Sequence, residues 1–433
     1  MQIKNKTFCL ITLGCRTNIC ESDVISNQLL EESAVEVDKV NDANICIVNT
    51  CCVTNRAENK SKYYINQAIR ANKCKLIIVI GCMPQIGITS LQHHKIGIIL
   101  GNKKKTKLIE YIKSYKFHQP IIQKDRFKKN DIFQNYDLLM RTHTTRAFIK
   151  IQDGCDFMCS YCIIPFVRGR QRSLPHNKII QIIQTLVKNE YKEIVLTGVN
   201  TAGYRENLNY GFIELLKDIN GLSGNFRVRI SSLEPFQLNK DIVDLITSND
   251  KRWCQHFHIC LQSGSDNTIQ QMKRKYTIKD FFALCNYIRE RNKMASITTD
   301  CIVGFPTETK DDFKISCKNI KKIQFADIHI FPFSSRPFTQ ASKLPISIND
   351  CEKKRRFIAM DKIKKTFKCK YLKKFIGKTL SVLFEKSKDP KIQIGHSEYF
   401  FTVKVKTNKS LVNEFVLVKI IKLENNQLFG ELL

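Results

Sequence analysis

The sequence contains no apolar run approaching the ~20 residues that a bilayer-spanning helix needs. Its first residues, MQIKNKTFCLITLGC, lack the apolar stretch and small-residue cleavage site of a secretory signal and read directly into a strand. Both absences lead us to expect a cytoplasmic protein with no membrane association. Acidic residues are also scarce: 40 Asp and Glu stand against 71 Lys and Arg, a net charge of +31. An excess of that size suits a polyanionic partner such as nucleic acid, though the wealth of Lys, Ile and Asn equally fits AT-rich coding. Cysteine is plentiful, with 18 residues. A reducing compartment disfavours a disulfide framework, which leaves metal ligands, reactive thiols and small buried hydrophobes.

One short stretch organises the rest: DGCDFMCSYCIIPFVRGRQRS, from Asp153 to Ser173. Cys155, Cys159 and Cys162 stand in a C-x3-C-x2-C spacing, with Tyr161 just before the third cysteine. Three thiolates in one loop can surround one metal centre and leave a coordination position for something other than protein. A closed zinc site needs a fourth ligand, usually from a second C-x2-4-C pair, and no such pair lies nearby. Arg168, Arg170 and Arg172 follow at once, and their planar guanidinium groups suit phosphate or base recognition.

Upstream, three apolar, β-branched runs read as buried parallel strands: Phe8 to Gly14, Ile45 to Thr50 and Leu76 to Gly81. Helical stretches separate them, and another apolar run, Ile96 to Leu100, leads into a basic amphipathic helix near Lys105 to Tyr115. This alternation is that of an open α/β sheet. A cysteine follows each of the first three strands: Cys15, Cys51 and Cys82. Carboxyl ends of parallel strands share one edge, where ligands bind, so these three predict a second three-cysteine site. Cys52 rivals Cys51, whereas Cys46 lies within its strand and packs. Asn18 and Asn49 are expected to hydrogen-bond the turns.

After an aperiodic, basic connection the βα rhythm resumes. Six strand-like segments between Ala147 and Phe333, separated by helical patterns, predict a partial parallel barrel. Glycines, hydroxyls and carboxyls gather at its strand ends, in TGVN, SSLEP, LQSGSD and DCIVGFPTET. Gly198, Asn200, Glu234, Gln262 and Gly304 are the candidates there for ligand contact, with an ion-paired Glu234 and turn-forming Gly304 as the structural alternatives. Between Lys353 and Lys378 twelve Lys or Arg face one acid, Asp361, on a helix with an apolar stripe. Short alternating strands then predict a small five-stranded β-barrel of a type common among RNA-binding modules. Of its aromatics, Phe384, Tyr399, Phe400 and Phe401 are candidates for stacking on bases, with at least half needed for the core. The expected organisation is an α/β N-terminal domain over 1–118, a linker over 119–143, a barrel domain over 144–372 and a terminal domain over 373–433.

With these motifs in order, the whole chain resembles the radical S-adenosylmethionine (SAM) methylthiotransferases. TLGCRTN, NTCCVTN, GCMPQ, DGCDFMCSYCIIPFVRGRQRS and GHSEYFFTVKV look like that family's landmarks. The resemblance implies an open parallel sheet, a (βα)6 radical SAM barrel and a C-terminal TRAM barrel. It implies that Cys155, Cys159 and Cys162 hold a [4Fe-4S] cluster that cleaves SAM, with Tyr161 and the strand-end residues near the cofactor. It implies a second, auxiliary [4Fe-4S] cluster on Cys15, Cys51 and Cys82 carrying the sulfur to be transferred, and it favours Cys51 over Cys52. Arg168, Arg170, Arg172 and the TRAM barrel would hold a tRNA anticodon arm, and an electron donor and a sulfur donor are further partners. TLGC-x-x-N, NTC-x-VTN and EIVLTGVN resemble most the branch acting on N6-threonylcarbamoyladenosine. The isopentenyladenosine branch, the ribosomal protein S12 branch and, in a different class, a non-catalytic zinc and RNA-binding module are the competing readings. GHSEYF departs from the more usual Gly-Tyr-x-x-Asn-Tyr form of the TRAM motif.

Overall fold

A computed structural model describes residues 1–128, 131–133, 144–248, 251–345 and 347–433. The chain forms two compact units. One takes the described residues of Met1–His143 together with Lys150–Pro175 and Ser334–Ser342; the other takes Thr144–Ile149, His176–Phe333 and Lys343–Leu433.

The first unit is built on β1 (Thr7–Thr12), α1 (Arg16–Glu31), β2 (Val35–Glu36), β3 (Ile45–Thr50), α2 (Asn55–Arg70), β4 (Leu76–Gly81), α3 (Cys82–Ile86), β5 (Ile96–Gly101), α4 (Leu108–Ser114) and β6 (Ile121–Gln123). The six strands lie in the order β2-β1-β3-β4-β5-β6, all parallel. Period-two alternation divides the apolar side chains between two faces. Ile45, Ile47, Ile78 and Ile80 pack with Ile25 and Leu29 of α1 and with Leu108 and Ile112 of α4. Cys46, Val48, Ile77 and Val79 pack with Ile65 and Ala68 of α2. Thr54 caps α2, its side chain accepting from Ala57 N at 3.1 Å, which satisfies one of the unpaired amides of a helix start.

Ile121–Gln123 falls within the connection expected from 119 to 143 and adds an edge strand to this sheet. Residues 129–130 and 134–143 of that connection lie outside the described residues.

The six strands of the barrel are β7 (Arg146–Lys150), β10 (Glu193–Thr197), β11 (Arg227–Ile230), β12 (His256–His258), β13 (Ser296–Val303) and β14 (Asp327–Pro332), with the two-residue β8 (Gln152–Asp153) and β9 (Arg172–Ser173) lying between β7 and β10 in the chain. They form two three-stranded sheets, β11-β10-β7 and β12-β13-β14, joined by parallel bridges at Val228–Trp253 and Leu233–Ile259. Helices α5 (Ile164–Arg168), α6 (His176–Lys188), α7 (Phe212–Asn220), α8 (Lys240–Ser248), α9 (Asp266–Gln271), α10 (Ile278–Arg291), α11 (Lys310–Ile323) and α12 (Asp350–Lys373) follow in chain order. Capping boxes at Thr277/Asp280 and Thr309/Asp312 start α10 and α11.

The terminal strands β15 (Thr379–Glu385), β16 (Ile392–Ser397), β17 (Thr402–Lys406), β18 (Phe415–Glu424) and β19 (Gln427–Leu432) close into a barrel. Its core of Val382, Phe384, Val403, Val405, Val418, Ile420 and Leu428 is shared with Tyr371 and Leu372 of α12 and with Phe375. This barrel sits against the amino ends of the parallel strands. Arg227 donates to Ser381 O and His396 O at 3.0 and 2.9 Å, and Arg229 to Ser397 O at 3.0 Å. Glu193, fully buried, accepts from both arginines. Phe400, at φ +69°, stacks on His256 at 4.6 Å between ring centroids and lies under the Arg229 guanidinium. Phe384 is wholly buried and presents no face for a base, whereas Phe400 is half-buried with His256 stacked on it. The carboxyl ends of β10 to β13, with their candidate residues, lie at the opposite end.

Candidate functional site

The register of the first sheet decides where its cysteines go. Thr12 pairs with Asn49, and Thr50 with Gly81, so β1, β3 and β4 end together and Cys15, Cys51 and Cys82 follow at one edge. The thiols feel one another. Cys51 is pushed up to about 12 by burial and then by the neighbouring Cys82 and Cys15 sulfurs. Cys82 is drawn down to about 5, first by a hydrogen bond from Cys52, against burial, with further help from Arg168, Lys105 and Asn102. Cys51, Cys52 and Cys82 are buried, and Cys15 is exposed.

The turn after β1 runs against Cys51. Gly14 adopts φ +94°, and a Cβ there would lie 2.6 Å from Cys51 Sγ, so only glycine fits. Asn18, in the first turn of α1, and Asn49, near the end of β3, hydrogen-bond the turns as expected. Asn18 Nδ2 donates to Leu13 O and Thr50 O at 2.7 and 3.1 Å, and Asn49 Nδ2 to Asn18 O and Ser22 Oγ at 3.1 and 3.0 Å.

The loop of Cys155, Cys159 and Cys162 belongs to the same unit. β8 and β9 pair antiparallel, Gln152 with Ser173 and Asp153 with Arg172, and pinch the loop shut at its base. Inside it Cys155 N donates to Gly169 O at 3.0 Å, Phe157 N to Cys155 Sγ at 3.4 Å and Cys162 N to Cys159 O at 3.0 Å. Gly154, at φ +72°, lies so close to Arg170 O that a Cβ would approach it to 2.0 Å. The helix after the loop, α5, meets the first sheet: Ile163 and Val167 pack with Cys52 and Cys82. The two cysteine groups are thus neighbours in one compact unit.

The arginine run needs correction. Arg168 is buried, donating to Glu21 Oε1 at 2.9 Å, Asp153 Oδ1 at 3.1 Å and Asn18 Oδ1 at 2.7 Å. Arg172 is buried too, donating to Arg168 O and Arg170 O, both at 2.9 Å, and pairing with Asp153 at 3.4 Å. Neither reaches RNA from these positions; both hold the cysteine loop together. Of the three, Arg170 alone is open to solvent, 58% exposed and 3.5 Å from Asp156.

The anion at the centre, Glu21, also takes Lys105 at 2.6 Å and Lys150 at 2.9 Å. Burial alone would raise its carboxyl, but Arg168, Lys105 and Lys150 hold it well below the usual range. Glu21, Lys105 and Asn102 carry no motif of their own; Lys105 meets Glu21 across 84 residues of sequence and Asn102 meets Val167 across 65. Arg336 was equally hidden: it donates to Cys52 O at 3.0 Å and pairs with Glu58 at 2.8 Å.

In the first unit Tyr161 is half-buried beside Cys162. In the second unit Gly198 and Asn200 follow β10, and Asn200 is buried. Gln262, at φ +63°, is clamped in the barrel by Gln262 N to Asp300 O and Ile302 N to Gln262 O, at 2.9 and 2.8 Å. The Glu234 carboxylate is taken up by Arg274. Gly304 accommodates Lys353, whose Cγ would lie 2.6 Å from an added Cβ, and its N–H donates to Glu308 at 2.8 Å. His258 and Cys260, which no motif had marked, and Asp300, the first residue of DCIVGFPTET, bring ligand-type atoms within 4.8 Å of one another, with His258 and Asp300 paired at 3.3 Å.

Comparison with known proteins bears on this arrangement. The radical SAM superfamily profile matches residues 149–319, that of uncharacterized protein family UPF0004 residues 7–101, and that of the TRAM domain residues 373–433. The chain is 33% identical over 420 residues to the threonylcarbamoyladenosine tRNA methylthiotransferase MtaB of Bacillus subtilis, covering 95% of this chain and 93% of that one. It is 35% identical to the MtaB of Thermotoga maritima, over 96% and 94% of the two chains. The chain belongs to the radical SAM tRNA methylthiotransferases. It is also 33% identical to a tRNA-2-methylthio-N(6)-dimethylallyladenosine synthase of Caldicellulosiruptor saccharolyticus, over 99% and 93%. Among solved structures the radical SAM methyltransferase TsrM of Kitasatospora setae shares the fold, at 13% identity and a TM-score of 0.56 over 78% of this chain and 77% of that one. As a methylthiotransferase the protein is an enzyme of a family that uses SAM and [4Fe-4S] clusters, and its first two matched domains fit two clusters. The donor sets suit iron and sulfur: each is three cysteines, soft ligands with no carboxylate among them. Among the described residues no helix is long and apolar enough to cross a membrane.

Proposed function

We propose that this methylthiotransferase modifies C2 of N6-threonylcarbamoyladenosine at position 37 of tRNA, with SAM as both methyl donor and radical source. The observation that carries the two-cluster reaction is the packing of Ile163 and Val167, just past Cys162, against Cys52 and Cys82. It sets the two cysteine groups side by side in one unit, as transfer of sulfur to a carbon activated nearby requires. The choice of nucleoside rests on TLGCRTN, NTCCVTN and EIVLTGVN and on the MtaB relatives, since a dimethylallyladenosine synthase matches at similar identity.

Cys155, Cys159 and Cys162 would hold the SAM-binding cluster, and Cys15, Cys51 and Cys82 the auxiliary one. When bound, these groups supply the one-electron reduction of SAM and the sulfur atom, chemistry beyond any side chain. The protein's own residues orient and enclose. Gly14 and Asn18 shape the turn at Cys15 and Cys51, β8 and β9 shut the other loop, and Arg168 with Glu21 locks α5. Within the first unit Tyr161 would border SAM; within the second, Gly198, Asn200, Gln262 and Gly304 are separate candidates at the strand ends, with Glu234 held by Arg274. Arg170 and the TRAM barrel would meet the anticodon arm, and the closed five-stranded barrel with its basic approach helix supports that reading.

Mass spectrometry of tRNA nucleosides from a strain lacking the gene tests the substrate. Loss of the methylthio-threonylcarbamoyl nucleoside, with the methylthio-isopentenyl one retained, is expected; the reverse pattern would transfer the protein to the other branch.

A further inference from the structure

Asn102 stands at the end of β5, 6% exposed, between the two cysteine groups. Its Nδ2 lies 2.8 Å from Val167 O and 3.4 Å from Cys82 Sγ. A carbonyl oxygen only accepts, so Val167 O fixes which end of the amide faces it. One amide hydrogen is spent there, and the other points to the sulfur. The Asn102 Oδ1 is buried without a hydrogen-bond partner. The amide is therefore held by its two donor contacts alone, one on each side of the boundary between the first sheet and α5.

We infer that Asn102 is a positioning residue for the auxiliary cluster, whose donor on the Cys82 sulfur raises that cluster's reduction potential while Val167 fixes the donor's direction. The assignment rests on Cys82 being a cluster ligand, as proposed above. Reduction puts electron density onto the cluster and its thiolates, and an N–H aimed at a thiolate sulfur stabilises the electron-rich state more than the oxidised one. Burial strengthens the effect, because no water competes for the sulfur. The contact to Val167, five residues beyond Cys162, gives the donor its second function: a shift of α5 would turn the amide away from Cys82.

The test uses the full chain, purified and reconstituted without oxygen, as wild type, Asn102→Ala and Asn102→Leu. The leucine variant keeps the side chain's size and removes the donor without adding a charge, so it stands even where alanine disturbs packing. Iron and sulfide analysis establishes loading at about eight irons for two clusters. Redox titration followed by electron paramagnetic resonance then gives a midpoint for each cluster, told apart by which signal changes on adding SAM. In both variants the SAM-insensitive cluster is expected to move to a more negative midpoint at full loading, with the SAM-sensitive one unmoved. An unshifted SAM-insensitive midpoint in a fully loaded variant overturns the assignment, as do two midpoints that move together. A wild type that loads a single cluster overturns the two-cluster reading itself and this assignment with it.

Discussion

Arg168 Nη1 stands 2.9 Å from Glu21 Oε1, and both side chains are shut off from solvent. The pair joins α1, which follows Cys15, to α5, which follows Cys162. Removing one partner of a buried pair strands the other's charge, so Arg168→Ala should cost about 3–5 kcal/mol in denaturant unfolding. Because Arg168 is inside, its loss should leave the salt dependence of tRNA binding unchanged in folded protein. Arg170→Ala should behave oppositely, with near wild-type stability and a salt slope reduced by about one. Binding measured across a salt series separates the two, and a lowered slope for Arg168→Ala would count against its burial.

The adjacent cysteines should separate in iron content. Cys51→Ala is expected to lose one cluster, about four irons of eight, while Cys52→Ala keeps both. Cys52 is the fully buried neighbour packed with Ile163 and Val167 and hydrogen-bonded to Cys82. Iron analysis after anaerobic reconstitution decides, and the opposite pattern would make Cys52 the ligand.

Gly14→Ala tests the turn rather than a ligand. Its Cβ would meet Cys51 Cβ and Sγ at 2.5 and 2.6 Å, on a backbone at φ +94°. Strain of ~1–3 kcal/mol and displacement of Cys51 should together empty the auxiliary site while SAM cleavage by the other cluster persists. Full iron content in this variant would show that the turn yields at little cost.

Glu193 gives the second unit a pH signature. Burial would raise its carboxyl, but Arg229 and Arg227 hold it far below the usual range. Its contribution is therefore complete above the unfolded carboxyl value of about 4.3, declines progressively as pH falls below that value, and is gone only once pH passes the much lower folded value. Glu193→Gln should be less stable than wild type by about 3–5 kcal/mol at pH 7, and the gap should narrow below about pH 4.3. Melting curves of both proteins from pH 7 to 3.5 check this; a gap independent of pH would contradict the assignment.

What could be read from the sequence was whatever is local. Strands β1, β3, β4 and β5 showed because each is a continuous β-branched run, and a cysteine just beyond a parallel strand has only one edge to occupy. Strands β2 and β6 escaped notice because they are two- and three-residue edges. The arginines misled for the same reason. Their spacing is visible, but Glu21 lies 147 residues from Arg168, and nothing in either neighbourhood announces the other. Glu234 with Arg274, and Asn102 with Cys82, are likewise made by the fold alone.

Phe400 resting on His256, with Arg227 and Arg229 reaching carbonyls of the terminal strands, makes the last sixty residues the foundation on which the parallel strands stand. Cutting them away would unroof Glu193, strip two arginines of their carbonyl acceptors and bare the stripe of α12. A truncated protein that no longer modifies tRNA would thus have lost its footing as well as its grip, and binding and architecture must be separated by single substitutions on the outer strands instead.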